Sequence, residues 1–249
     1  MPSRTALPEF GPLEGSAFGP AALELMEVRA PLRHVEKMAA TAQDWLKAYH
    51  AVGADTIHGR RALRVSTQHR EPYLRFNTER LKREKPGIYA RARVLKPYTV
   101  ISREGYAPAL GTLYGEGLPG VPKKMAPDQL LRFGVPFEVA HAEKMRLRPI
   151  LADLRRREAE CKDALEWLCE PYLKSGQWDG TQACFADGYR FGIRAIRFDA
   201  DTALLLLDQV DVPRYSQIVA ATDVEVIQAV DPDAPVSVGG PDAFPFEGD

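Results

Sequence analysis

Cysteine is scarce in this chain: Cys161, Cys169 and Cys184 are three among 249 residues. An odd number without CxxC spacing argues against a disulfide frame or a compact zinc site and reads as reduced, intracellular thiols. Long apolar runs are missing as well. No stretch of about eighteen apolar residues occurs, so no membrane-spanning helix is expected. The opening "MPSRTALPEFGPLEGSAFGPAA" lacks a basic region followed by an apolar one, so no secretory leader is expected. The five histidines (His34, His50, His58, His69, His141) form neither HExxH nor any i, i+4 pair. The phosphate-loop pattern GxxxxGK[ST] and the hydrolase elbow GxSxG are absent, and no dinucleotide fingerprint is expected. A magnesium-dependent nuclease needs paired carboxylates with a lysine. Pro127-Asp128 is followed by helix-like sequence but by no acidic-x-Lys strand. The expectation is therefore a non-enzyme with no catalytic residue, no metal ligand and no cofactor, a metal-dependent nuclease being the weakest reading.

Charge is present and unevenly placed. The formal net charge is −1. From Arg60 to Arg103, thirteen Lys or Arg stand against three acids, a net of +10. From Asp199 to Asp249, eleven acids stand against Arg214 alone, a net of −10. Such a split suggests a polyanion partner for the first segment and another task for the second. The chain is 45% hydrophobic, enough to bury a core.

Pattern along the chain divides it. Residues 1–20, rich in Pro and Gly, read as a flexible arm. Residues 21–102 read as a basic α+β unit. Leu23, Met26, Leu32, Val35, Met38, Ala42, Trp45, Leu46 and Tyr49 recur at helical spacing up to Gly53. "RRALRVST", the turn "HREP" and "YLRFN" then predict a hairpin. Thr78 is the expected cap of a short helix, "ERLKREK", which Pro86 interrupts. A second short helix, "GIYARARVL", and a strand, "YTVIS", follow. Residues 103–136 are dense in Gly and Pro and read as a linker. Residues 137–230 read as a second α+β unit. Its helix covers 140–173, with Pro149 as a kink or true start. A hairpin with Asp187-Gly188 at its turn comes next, then a capped helix "DADTALLLLDQV" continuing into "PRYSQIVAA", then the strand "DVEVIQAV". Residues 231–249 read as an acidic tail.

The two units share their order of elements. An offset of 122 aligns Trp45-Leu46 with Trp167-Leu168 and Arg75-Phe76-Asn77 with Arg197-Phe198-Asp199. An offset of 126 aligns Tyr89 with Tyr215 and Val100-Ile101 with Val226-Ile227. The fold class expected is α+β: a degenerate tandem repeat of long helix, β-hairpin, short helix and strand, in two lobes joined by the Pro/Gly-rich linker. Trp45 and Trp167 should then pack on equivalent hairpins, and Phe76 and Phe198 should point inward.

"RFNTERLKREKPGIYARARVLKPYTVIS", Arg75 to Ser102, is the most basic stretch. Its bases Arg75, Arg80, Lys82, Arg83, Lys85, Arg91, Arg93 and Lys96 are the candidate nucleic-acid contacts. They would give salt-sensitive, sequence-independent binding. Glu79 and Lys82 are expected to form a surface ion pair. The echo "RFDADTALLLLDQVDVPRYSQIVAATDVEVI" lacks these charges, so the fold is not expected to require the bases.

The order long helix, Gly-containing break, hairpin and then this basic stretch resembles the coiled-coil accessory module that neighbours YqaJ-type exonucleases in phage recombination clusters. Phe76, Asn77, Leu81, Lys82, Pro86, Tyr89, Tyr98 and Val100 carry the match, within residues 34–102. In the second half, "EWLCEPYLKSGQW" with "GYRFGIR" is more loosely similar to the Gam-type host-nuclease inhibitors, which bind duplex DNA ends. The resemblance implies a non-enzymatic phage accessory protein in the cytoplasm of an infected bacterial host. Its partners would be DNA, duplex or ends, and a host or phage nuclease. The alternative is a virion structural or assembly protein whose arm, linker and acidic tail contact neighbouring subunits. Long amphipathic helices suggest a homo-oligomer, a dimer in the simplest case.

Overall fold

The computed structural model describes residues 17–108, 114–122, 127–185 and 188–234. Helix α1 (Phe18–His50) leads through β1 (Thr56–Ile57) and β2 (Arg60–Arg61) into β3 (Leu63–Arg70) and β4 (Tyr73–Phe76). Helices α2 (Thr78–Glu84) and α3 (Pro86–Arg91) precede β5 (Arg93–Arg103). Helix α4 (Pro127–Phe133) leads to α5 (Phe137–Lys174), followed by β6 (Ala183–Cys184) and β7 (Tyr189–Phe198). Helices α6 (Ala200–Leu206) and α7 (Val212–Tyr215) precede β8 (Ser216–Val219) and β9 (Thr222–Ala229). The molecule is thus mixed α and β, with long helices and small antiparallel sheets. Among the described residues, no helix is long and apolar enough to cross a membrane. The arm expected at 1–20 and the tail expected at 231–249 lie largely outside the described residues.

The frame is a pair of long helices. Leu25, Val28, Leu32, Val35, Ala39, Ala42, Leu46 and Tyr49 are buried on α1 at alternating steps of three and four. That is the spacing of a seam that meets a second helix. The partner is α5, and the two run antiparallel: Glu24, Arg29 and Glu36 meet Arg157, Glu158 and Arg155. At about 1.5 Å per residue, the 33 residues of α1 extend about 50 Å. Arg29 and Glu158 are mostly buried on this seam, with Arg29 Nε donating to Glu158 Oε1 at 2.8 Å. A buried ion pair in an otherwise apolar seam selects one register of the two helices. The apolar stripes that suggested a dimer are therefore buried against each other within one chain. Pro149 and Pro171 lie inside α5, which neither starts nor stops at them.

Strand pairing departs from the sequence expectation. β3 does not fold back on β4. It pairs antiparallel with β9, from Leu63↔Ala229 to Arg70↔Thr222, and β4 pairs with β8, from Tyr73↔Val219 to Phe76↔Ser216. The register is the same on both sides of Glu71-Pro72, so these two ladders form one kinked ribbon. Pro72 has no N–H to give, which is why the ladder breaks there. β5 pairs with β7, whose other edge carries β6. The hairpin expected between β6 and β7 is present, with Asp187 of its turn outside the described residues. Apart from β1–β2 and β6–β7, every ladder among the described residues joins one half of the chain to the other. "HREP" reads as a turn because it carries turn residues. Alternation in a strand identifies its buried face and says nothing of its partner.

Three apolar clusters follow the helix pair. Phe18, Leu25, Leu165 and Cys169 meet Trp178, Phe185 and Phe191 at one end. Val28, Leu32 and Val35 meet Leu147 and Leu154 in the middle. Trp45, Leu46 and Tyr49 meet Leu63, Phe137 and Ile227 at the other end. The described part of the expected linker lies against this frame: Trp45 Nε1 donates to Pro119 O, and Leu118 and Val121 join the third cluster. A fourth cluster, of Leu81, Ala92, Ala203, Leu207 and Tyr215, holds the short helices of both halves together. Phe76 and Phe198 do turn inward here, their rings 5.5 Å apart and inclined by 61°. Trp167 does not match Trp45. Trp45 is 2% exposed and Trp167 is 72% exposed. Leu165 and Cys169 take the buried face of that turn, and a residue two positions from each points away from it.

Candidate nucleic-acid interface

The bases of the Arg75–Lys96 stretch are displayed by β4, α2, α3 and β5. The cap of α2 is Asn77 rather than Thr78: its Oδ1 accepts from the Arg80 N–H at 2.9 Å. Leu81 is the one buried side chain of α2, which turns Lys82 and Arg83 outward. Pro86 opens α3, and the helix ends at Arg91. Arg93, expected on a helix, and Lys96, expected just past its end, both stand on β5.

Half of the eight bases have carboxylate partners. Arg80 Nε donates to Glu84 Oε1 at 3.1 Å, and Arg83 Nη2 donates to the same oxygen at 3.3 Å. Arg214 Nη2 lies 2.9 Å from Glu84 Oε2. Burial alone would raise the Glu84 carboxyl, but these three guanidinium groups outweigh it and hold the group below its usual value. Lys85 Nζ meets Asp211 at 3.1 Å, and that hydrogen bond raises the lysine. Lys96 pairs with Asp199, whose carboxyl falls to about 2 under the hydrogen bonds of Lys96 and Thr202. Arg60 with Asp233 and His69 with Asp223 likewise join the basic segment to the acidic one. Opposite charge in the two segments thus partly serves their own pairing. Lys85 and Lys96 are ones the fold does use, which corrects the expectation drawn from the echo without those lysines.

Arg75, Lys82, Arg91 and Arg93 are exposed and have no ion-pair partner among the described residues. The expected Glu79–Lys82 pair is not formed; Glu84 is the acid that the arginines of α2 share. Three further bases belong with these four. Arg61, Arg64 and Arg70 are exposed on β2 and β3 and are likewise without an ion pair among the described residues. Arg64 and Arg70 share one face of β3 with Ser66 and Gln68, about 20 Å apart at roughly 3.4 Å per residue. The signal was legible as even spacing in "RVSTQHR". Apart from Leu63, Ile227 and Ala229, no residue of the β3–β9 ribbon is buried. A two-stranded ribbon of this kind fits the width of a B-DNA major groove.

His50 lies 2.7 Å from Asp55, and buried His141 lies 2.9 Å from Val230 O. No three His, Cys, Asp or Glu converge as a metal site among the described residues. The Gly-x-Gly-x-x-Gly spacing does occur, at Gly115, Gly117 and Gly120. Residues 114–122 are turn and coil, however, and a Cβ on Gly117 would fall 2.8 Å from Met38 Cγ. Gly117 allows close approach to α1, a Cβ on Gly115 or Gly120 would meet nothing within 4 Å, and the three make no strand-to-helix dinucleotide site. No family model matches the chain, and neither a curated protein nor a solved structure matches it.

Proposed function

We propose that this chain is a non-enzymatic nucleic-acid-binding protein whose contact surface runs along the β3–β9 ribbon and onto α2, α3 and the start of β5. One observation carries the reading: Arg61, Arg64, Arg70, Arg75, Lys82, Arg91 and Arg93 are exposed and have no carboxylate partner among the described residues, while neighbouring bases are already paired. Cations that the fold has not matched with an acid are available to phosphates. Phosphate contact of this kind is largely independent of sequence and weakens steeply with salt.

The two halves are, on this proposal, copies of one helix–strand–helix–strand unit that exchange their last strands. Asn77 N donates to Tyr215 O at 2.8 Å, and Asp199 N donates to Ala92 O at 2.8 Å, the same bond made in each direction. Asn77 and Asp199 cap α2 and α6 with the same side-chain bond. These contacts align Ala92 with Tyr215, an offset of 123 in place of 126. The phage recombination setting, with a nuclease as a further partner, comes to the proposal from the resemblance of the basic stretch. Titration of labelled duplex and single-stranded DNA at several salt concentrations tests the reading. Binding that falls steeply with salt supports it, and absence of binding at low salt refutes it.

A further inference from the structure

A cleft of about 450 Å³ opens where β4, α7 and β8 meet, and its lining includes Arg75, Asn77, Arg214, Tyr215 and Gln217. Arg75 and Gln217 are directly paired across the β4–β8 ladder, so both side chains leave the same face. Arg214 comes from α7. Its partner Glu84 is shared with Arg80 and Arg83, so three guanidinium groups surround one carboxylate and the surroundings stay positive.

The corresponding place in the other half is made of the same parts, but its arginine and its cap are engaged within the chain. There Arg197 occupies the position of Arg75, and Arg91 that of Arg214. Arg197 lies over the Tyr98 ring at 3.8 Å, and the cap Asp199 is held by Lys96. Around Arg75 neither device exists: the cap is the neutral Asn77, and Arg75 has no ion pair or ring contact among the described residues. One of two like places has been satisfied internally. The other keeps a bare guanidinium and room on the scale of pockets that hold small ligands, roughly 300–1,000 Å³.

We propose that this cleft holds one nucleotide of a nucleic-acid strand, with its phosphate between Arg75 and Arg214 and the Gln217 amide donating to a phosphate oxygen. The inference rests on the nucleic-acid reading and names its point of closest recognition. A planar guanidinium donates two parallel bonds to a phosphate, which an ammonium cannot. A neutral cap at position 77 spares the phosphate the repulsion that a carboxylate would impose.

The test is fluorescence anisotropy of a labelled six-nucleotide single strand, with either a 5′-phosphate or a 5′-hydroxyl. The intact protein is compared with Arg75→Ala, Arg75→Lys, Gln217→Ala and, outside the cleft on the same ribbon, Arg70→Ala. Arg75→Ala is expected to weaken binding by about tenfold or more, and Arg70→Ala by much less. Arg75→Lys should recover little of the loss. Tighter binding of the 5′-phosphate strand assigns the cleft to a strand end, and equal binding assigns it to an internal phosphodiester. Equal losses for Arg75→Ala and Arg70→Ala, or full recovery by lysine, overturn the cleft while leaving general nucleic-acid binding intact. Failure of the unaltered protein to bind any strand at low salt overturns the underlying reading instead. Circular dichroism of each variant separates loss of binding from loss of fold.

Discussion

Replacing Arg64, Arg70, Arg91 and Arg93 together by Gln removes four exposed guanidinium groups that have no ion-pair partner among the described residues. Each base that neutralises a B-DNA phosphate contributes about 0.9 to the slope of log K against log salt, so the four contribute about 3.6. Over a fourfold rise from about 50 to about 200 mM salt, a slope difference of that size amounts to about 150-fold in affinity. The unaltered protein should therefore lose about 150-fold more affinity across that range than the variant does. The comparison is Arg80, Lys85 and Lys96 replaced together by Gln. These cations already face Glu84, Asp211 and Asp199, so the slope should move by less than about 1 and the melting temperature should fall instead. The assay is anisotropy of two labelled duplexes of unrelated sequence at five salt concentrations. A quadruple variant that keeps the parent slope would refute the reasoning. So would a triple variant that flattens the slope as much, because committed and uncommitted bases would then be equivalent. A difference between the two duplexes would show that base edges are read directly.

Other consequences concern stability and chemistry. Trp45→Ala empties a buried site and removes the indole bond to Pro119, so it should cost about 3–5 kcal/mol. Trp167→Ala, at an exposed position, should stay within about 0.5 kcal/mol in chemical denaturation; equal costs would restore the symmetric expectation. Asp199 has a folded value of about 2, below the roughly 3.9 of a free side chain. A depressed carboxylate supplies stability that is fully present above about pH 4 and is lost as pH falls towards about 2. Carbon NMR should find Asp199 titrating that low, and Lys96→Met should move it upward; an ordinary midpoint in the unaltered protein would contradict the pairing. Burial pushes the Cys169 thiol up to about 12, so Ellman's reagent should modify the partly exposed Cys184 well before it. Early labelling of Cys169 in the native protein would disprove its burial.

The long helices, the short helix after "RFN" and its echo after "RF", and most strand segments were legible from local pattern. Heptad spacing from Leu25 to Tyr49 is a property of adjacent turns. An Asn or Asp before a short helix satisfies an N–H only three residues away, as both Asn77 and Asp199 do. Arg93 was misplaced onto a helix because "GIYARARVL" lacks the clear alternation that marks a strand. "SQIVAA" was misplaced too, since a continuous apolar run does not separate strand from helix.

Sequence by itself determined where the chain would be helical, which faces would be apolar and where the bases would be concentrated. Those properties depend on neighbours a few residues apart. Tertiary structure alone decided that β3 and β4 pair with β9 and β8, that the helix stripes close on each other, and that Lys85 and Lys96 are committed while Arg91 and Arg93 are not. A ladder partner some 150 residues away, or a carboxylate about 3 Å from an ammonium, leaves no trace in local periodicity. The charge of the basic stretch was visible in the sequence, but its availability depended on which acids the fold brought beside it.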